Sequence, residues 1–487
     1  MSSVSPDDRM DTRLLGMIGV ILLGGLLGIL NSTMAAVAID TLAGAFATSL
    51  STVGWTSTGF LLAVTATIPF TTWAVDRFGG RRLWLAGLSL FLAGSLLAGL
   101  AWNVGSLIAF RVLQGFGAGL LDPLVLILLA RAAGPRRAGR VMGLMGVVLS
   151  LGPVLGPIAG GAVLAGLSWR WMFLLSVPVG LVALLLAVRV VPVDEPSHGP
   201  SGASPARLDV VGLALLGPGF AAVVLALSQT AEQGSFAAWQ ALLPLGAGVL
   251  LLAGYAVHAL RSRPVGSPAR RRKPPLIDLR LFANRGFTAS VTIMGLGGLS
   301  LFGALFALPL YYQQAHGHGV LAAGLLMAPL GLGGSIAMPL AGRLSDRIGA
   351  RGLAIAGVTV ALLSALSFTR MGAHTPEIWP ALAALSIGLG SGCFSAPTMG
   401  SLYRTLPETM VAQGSSVLYM LNQLGAALGV AVVTLILQTA GDVITGFHGI
   451  FWLVVTGLVI VLAVIPLLPG RPPRAQAAAG ELASTPG

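Results

Sequence analysis

The chain has 487 residues, of which 55% are hydrophobic and only 9% charged, and its mean hydropathy is +0.89. Too few polar residues remain to cover an aqueous surface, so the composition excludes a soluble globular protein and makes lipid the solvent. A net charge of +12 would point to nucleic acid in a soluble protein, but here the basic residues fall in short segments between apolar runs, the pattern of the positive-inside rule.

About 20 apolar residues cross ~30 Å of hydrocarbon. Runs of that length predict helices near 14–36, 52–73, 83–101, 105–130, 141–165, 171–191, 209–229, 239–260, 286–310, 321–341, 351–370, 378–400, 413–437 and 447–469. If the N-terminus is cytoplasmic, every basic residue except Arg111, Arg170 and Arg370 falls on the cytoplasmic side, which predicts an even number of spans and two cytoplasmic termini. The first run is too long for the apolar core of a cleaved signal, so it is expected to be retained.

Between the second and third runs stands Asp76-Arg77-Phe78-Gly79-Gly80-Arg81, and between the tenth and eleventh stands Asp346-Arg347-Ile348-Gly349-Ala350-Arg351. A repeated charged loop implies two related halves, each carrying it between its second and third helix. The expected architecture is therefore all-α and polytopic. It comprises a cytoplasmic tail (1–13), a six-helix bundle (14–191), a linker (192–208), two inserted helices (209–260), a basic loop (261–285), a second six-helix bundle (286–469) and a second tail (470–487). Two halves that meet in a bilayer are the usual architecture for moving a solute by alternating access. In the basic loop, Arg270-Arg271-Arg272-Lys273 precedes Leu276 to Phe282. Two readings stand: apolar residues on the inner leaflet with the cluster on anionic headgroups, or a solvated tether.

Some chemistries are excluded outright. Lys273, the only lysine, follows Arg272, so no phosphate-binding Gly-Lys-Ser/Thr loop exists. The single Cys393 permits neither an internal disulfide nor a Cys-x-x-Cys site, and His316 and His318 read as a solvated pair, so no metal or cofactor is expected. The polar groups at membrane depth remain. In the fourth helix, Arg111 and Asp122 are eleven residues apart, which puts them on one face about 16 Å from each other. They cannot touch, but they can line one path. Charges there cost at least ~2.5 kcal/mol each and normally face a cavity or a partner. The bland alternatives are that Asp122 satisfies a donor freed at Pro123 and that Arg111 clamps carbonyls. The fifth helix carries Gly143, Gly152, Gly156-Pro157 and Gly160-Gly161, which imply a kinked, closely packed helix suited to a hinge or seal.

Together these motifs resemble the major facilitator superfamily, specifically its fourteen-spanner drug:proton antiporters of the multidrug efflux type, over residues 14–470. The resemblance implies that the two loops are conformational latches (Asp76, Arg77, Gly79, Arg81; Asp346, Arg347, Gly349, Arg351). It implies that Arg111 to Gly119 serve proton transfer, and that Gly143, Gly152, Gly156, Pro157, Gly160 and Gly161 form the antiporter motif. The chain departs from the pattern at Thr72, where the family has Gly, and at Asn31 and Asn422, where relatives commonly carry Asp and Arg. The expected protein is not an enzyme but a monomeric proton antiporter that exports lipophilic drugs, antibiotics or secondary metabolites. Its other partners are membrane lipids and protons, with no nucleic acid. Asp122 and Arg111 are the expected titrating pair, with Asn31, Met34, Gln114, Tyr419 and Asn422 in the substrate cavity. Arg in preference to Lys suggests a bacterial plasma (inner) membrane. The rivals are a proton-independent facilitator or importer of the same fold, favoured by Asn31 and Asn422, and a membrane-embedded enzyme, for which the sequence offers no acid-base cluster.

Overall fold

Lipid offers no partners for backbone N–H and C=O groups, so a chain this apolar must satisfy them within helices. The computed structural model describes residues 12–191, 208–262, 275–372 and 374–469, and among these fourteen helices are long and apolar enough to cross a membrane. The first half has α1 (Leu14–Ala35), α2 (Leu50–Phe78), α3 (Gly80–Gly99), α4 (Val104–Ala132), α5 (Arg137–Gly166) and α6 (Trp171–Val190). The inserted pair is α7 (Val210–Gln233) and α8 (Trp239–Arg261). The second half has α9 (Arg285–Ala315), α10 (Ala322–Ile348), α11 (Arg351–Phe368), α12 (Ile378–Thr405), α13 (Val411–Thr439) and α14 (Val443–Leu467). Residues 1–11 of the expected first tail, the second tail, residues 192–207 of the expected linker and the Arg270 to Lys273 cluster lie outside the described residues.

Polar residues mark many helix starts. Ser49 caps α2, Asn103 forms a capping box with Ser106 ahead of α4, and Asp209, Asn284 and Asp442 cap α7, α9 and α14. The Asp442 carboxyl is held below the usual carboxylate range by hydrogen bonds from the Thr445 hydroxyl and amide. Hydropathy gave no sign of a short helix, Ile39–Phe46, that follows α1, or of the π-helical turn Tyr311–Ala315 that ends α9. His316 packs its ring on Tyr311, stacks parallel to His318, and His318 meets the Glu377 carboxylate at 2.5 Å.

The segment before α9 matches neither expectation. Leu276, Ile277 and Leu281 are buried, the latter two in the main core, so they face protein rather than the inner leaflet or water. The Tyr255 hydroxyl of α8 donates to the Ile277 carbonyl (2.7 Å) and accepts from its amide (2.8 Å), and the Asp278 amide donates to Gln413 of α13 (2.9 Å). An apolar pattern reads the same whether lipid or protein covers it, and these backbone bonds decide for protein.

The two halves repeat one another in detail. Gly79 (φ 86°) and Gly349 (φ 93°) turn the chain between the second and third helix of each half, in a conformation other residues rarely adopt. Just beyond, Arg81 donates to the Val188 carbonyl near the end of α6, and Arg351 donates to the Leu468 carbonyl after α14 (2.6 and 3.0 Å). Each loop thus ties down the end of its own half's last helix, where unpaired carbonyls favour a cation. Within the halves, Gly152 and Gly156 bring α5 against Ile29 and Thr33 of α1, as Gly425 and Gly429 bring α13 against Gly295 and Leu299 of α9.

Between the halves, the closest approach is α5 on α10. A Cβ on Gly143 would lie 2.6 Å from the Met338 carbonyl oxygen, and one on Gly342 would meet the Gly139 carbonyl directly. Backbone lies against backbone here, so nothing flexible can give way. Gly342→Val is expected to cost about 1–3 kcal/mol of stability, read as a lowered thermal midpoint of the purified protein, while Gly352→Val, with open space around it, leaves the midpoint unchanged.

Candidate functional site

Three constellations could carry function, and the first is built around Arg111. Its side chain is fully buried among α1, α2, α3 and α6. Nη1 donates to Asn31 Oδ1 (2.7 Å) and Gln114 Oε1 (2.6 Å), and Nε donates to the Thr56 carbonyl (3.2 Å). The guanidinium lies over the Phe60 ring, 4.2 Å from its centre. Each amide is itself held from behind, Gln114 by Ser95 (2.5 Å) and Asn31 by Ser176 (3.1 Å). Every one of these partners is neutral, so the cation is stabilised by dipoles, not by a carboxylate.

The second constellation is the pair of charged loops, which differ in use. Asp346 is largely buried and reaches across to the other half. Its carboxylate accepts from the Gly139 amide (3.0 Å) and the Arg140 amide (2.9 Å) in the first turn of α5, and from Arg404 of α12 (2.8 Å). A helix N-terminus with free amides favours an anion. Asp76, with its side chain 58% exposed, pairs with Arg131 of its own half at 3.1 Å. An exposed pair contributes about 0–1 kcal/mol, whereas a half-buried carboxylate with charge-assisted bonds contributes about 1.5–3 kcal/mol for each bond. Of the two loop carboxylates, Asp346 is therefore the one that bridges the halves. On the opposite seam, the Thr72 hydroxyl of α2 donates to Ser416 Oγ of α13 at 2.9 Å, both buried. Gly342, which occupies the corresponding place in the second loop, instead presses on Gly139.

The third is a cavity of about 330 Å³ between the halves, beyond the latch end. Its walls come from α1 (Gly28, Ile29, Ser32, Thr33), α2 (Phe60, Leu61, Val64), α4 (Ala118, Asp122) and Pro153 of α5. The remainder comes from α7 (Val224, Leu227, Ser228, Ala231), Phe302 of α9, and α13 (Tyr419, Gln423, Ala426, Ala427, Val430, Ala431). The lining is apolar apart from a few hydroxyls, one amide and Asp122, the one carboxylate. Tyr419, from the other half, lines the same cavity beside that carboxylate. Among the described residues no cluster of His, Cys, Asp or Glu could hold a metal.

Arg111 and Asp122 are not brought together: Asp122 lines the cavity, while Arg111 lies behind Phe60 in a closed polar cage. Of the five residues expected in the cavity, Tyr419 lines it. Asn31 and Gln114 serve Arg111, Met34 packs in the small core around Trp169, and Asn422 donates to the Met294 carbonyl at 3.0 Å. Gly160 lies against Met34, and nothing stands within 4 Å of a Cβ on Gly161. Arg77 and Arg347 occupy the last turns of α2 and α10. Sequence reasoning missed Ser95, Ser176, Thr56 and Ser228, common residues with no spacing to mark them. Arg404 carried a signal, as the one basic residue ending α12.

Two six-helix halves around a central cavity, joined at one end by a charged contact, have the architecture of a membrane transporter. The Major Facilitator Superfamily profile matches residues 21–430, and the chain belongs to that superfamily. It is 38% identical over 434 residues to the "Multidrug resistance protein B homolog" of Mycobacterium tuberculosis, covering 88% of this chain and 77% of that one. It is 31% identical over 413 residues to the "Multidrug export protein EmrB" of Haemophilus influenzae (83% and 77% covered). Among solved structures, the human organic anion transporter MFSD10 aligns with a TM-score of 0.63 at 18% identity, covering 92% of this chain and 100% of that one, a likeness of fold. The chain is a multi-pass membrane transporter, not an enzyme.

Two predictions follow from the buried groups. Asn31→Leu removes a short bond to a buried cation and is expected to destabilise the protein by about 1.5–3 kcal/mol, whereas Asn31→Asp supplies a counter-ion and holds or raises the thermal midpoint. Asp346→Asn is expected to slow transport about tenfold at normal expression, with a smaller effect from Asp76→Asn, as measured in proteoliposomes. Equal effects of the two loop variants would remove the distinction between latches.

Proposed function

We propose that this protein exports lipophilic small molecules across a bacterial inner membrane by proton antiport, with the latch end facing the cytoplasm. The observation that carries the reading is the position of Asp122. It is the single formal charge on the wall of a largely apolar cavity, and its neighbour there, Tyr419, belongs to the opposite half. A carboxyl that gains or loses a proton there changes both the charge of the chamber and a contact between the halves. A proton that binds one conformation better than the other shifts the balance between them. Substrate and proton then compete for one wall. The cavity itself suits varied apolar ligands, because its contacts are soft and few are directional. Relatives named for multidrug resistance, multidrug export and lincomycin resistance support export of such compounds.

A second reading, a proton-independent facilitator, is favoured by one observation: Arg111 is satisfied wholly by neutral groups, so it needs no titrating acid. One experiment separates the two. In inverted vesicles with an imposed pH gradient and ethidium as the probe, Asp122→Asn is expected to abolish concentrative uptake while ethidium still binds. If the variant still concentrates ethidium, the facilitator reading or another coupling group takes its place.

A further inference from the structure

Two six-helix halves can enclose a path without the inserted pair. Here α7 does not stand apart from that path. Its far half supplies Val224, Leu227, Ser228 and Ala231 to the cavity wall, between the α2 residues on one side and the α13 residues on the other. The helix is pinned to both flanks. Ser228 shares a hydrogen bond with Thr58 of α2 (3.3 Å), Glu232 accepts from Ser51 of α2 (2.5 Å), and Gly217 lies against the Ala66 carbonyl. On the other side, Gly234 abuts the Gln438 side chain at the end of α13. Without α7, the edge of the chamber between α2 and α13 would open to lipid.

We infer that α7 is a substrate-selecting wall and that Ser228, with Leu227 and Ala231, sets the bulk of ligand the chamber admits. The inference rests on the exporter reading above and adds to it a basis of selection. These residues offer one hydroxyl and otherwise apolar surface, and the hydroxyl already has a partner in Thr58. Such a wall cannot discriminate by charge, which leaves shape. Small side chains at 228 and 231 leave room for a planar ring system, and a larger side chain at either place removes it.

The test uses the full chain in proteoliposomes, with Cys393 replaced by Ala so that introduced cysteines are unique. Ser228→Cys is expected to react with a hydrophilic maleimide from the aqueous side and to be protected by ethidium. Leu250→Cys, on α8 at 74% exposure toward lipid, is expected to stay unlabelled. In transport, Ser228→Trp is expected to lower rhodamine 6G flux about tenfold or more and ethidium, the smaller dye, less, whereas Leu250→Trp keeps the wild-type ratio of the two. An unlabelled Ser228→Cys, or an unchanged dye ratio in a folded Ser228→Trp, overturns the inference. If wild-type protein moves neither dye, the exporter reading fails instead, and the labelling pattern decides this one by itself.

Discussion

Everything else in this molecule depends on one constraint: its two halves must meet closely at one end and stay apart around a cavity. Lipid provides no hydrophobic drive for helices to associate, so adhesion has to come from close packing and polar contacts. The α5–α10 seam supplies both. Gly139 and Gly143 let the α5 backbone touch Met338 and Gly342, and that same approach brings the first-turn amides of α5 within reach of the Asp346 carboxylate. A side chain at any of these glycines would separate the helices and lengthen the carboxylate bonds together. Packing and electrostatics are thus a single latch rather than two devices.

The internal repeat makes the departures from symmetry informative. Where the second half has Gly342 pressed on Gly139, the first has Thr72 bonded to Ser416. A hydroxyl pair is worth about 1 kcal/mol net. Asp76, likewise, is exposed and stays within its own half, while Asp346 bridges the halves. More of the free energy that closes this end therefore lies on the α5–α10 side. The α2–α13 seam is the weaker, and it is the one that α7 flanks.

The overall architecture was legible because its causes are compositional: fourteen long apolar runs, a repeated charged loop, glycines at close spacing. Each demands a particular residue type at a particular place, and the structure uses Gly79 and Gly349 for turns that other residues rarely adopt. The arrangement around Arg111 was half legible. A buried cation was plain from its position in an apolar run, but its cage draws on α1, α2, α3 and α6 through Asn31, Thr56, Ser95 and Ser176, residues scattered without any period. Asn31 and Gln114 looked like cavity residues because helical position gives depth but not direction. The wall formed by α7 left no mark in sequence at all, since Leu227 and Ala231 facing a chamber look like Leu and Ala facing lipid.

The separation of the two charges of α4 has a consequence for how the transporter works. Arg111 and Asp122 share a helix, yet one is sealed behind Phe60 and the other lies on the cavity wall. Dipoles fixed by their own hydrogen bonds hold the guanidinium, and neither an amide nor a hydroxyl changes charge as the cavity fills or empties. That makes Arg111 a constant feature, pinning α1, α2 and α4 together as one rigid unit within the first half. On the proposed antiport reading, Asp122 is the variable one. Its neighbour Tyr419 belongs to the second half, so on that reading a change in its charge acts on the junction between halves and not on the packing within either. A single helix then carries a permanent charge that stiffens one half and a changeable charge positioned to move that half against the other.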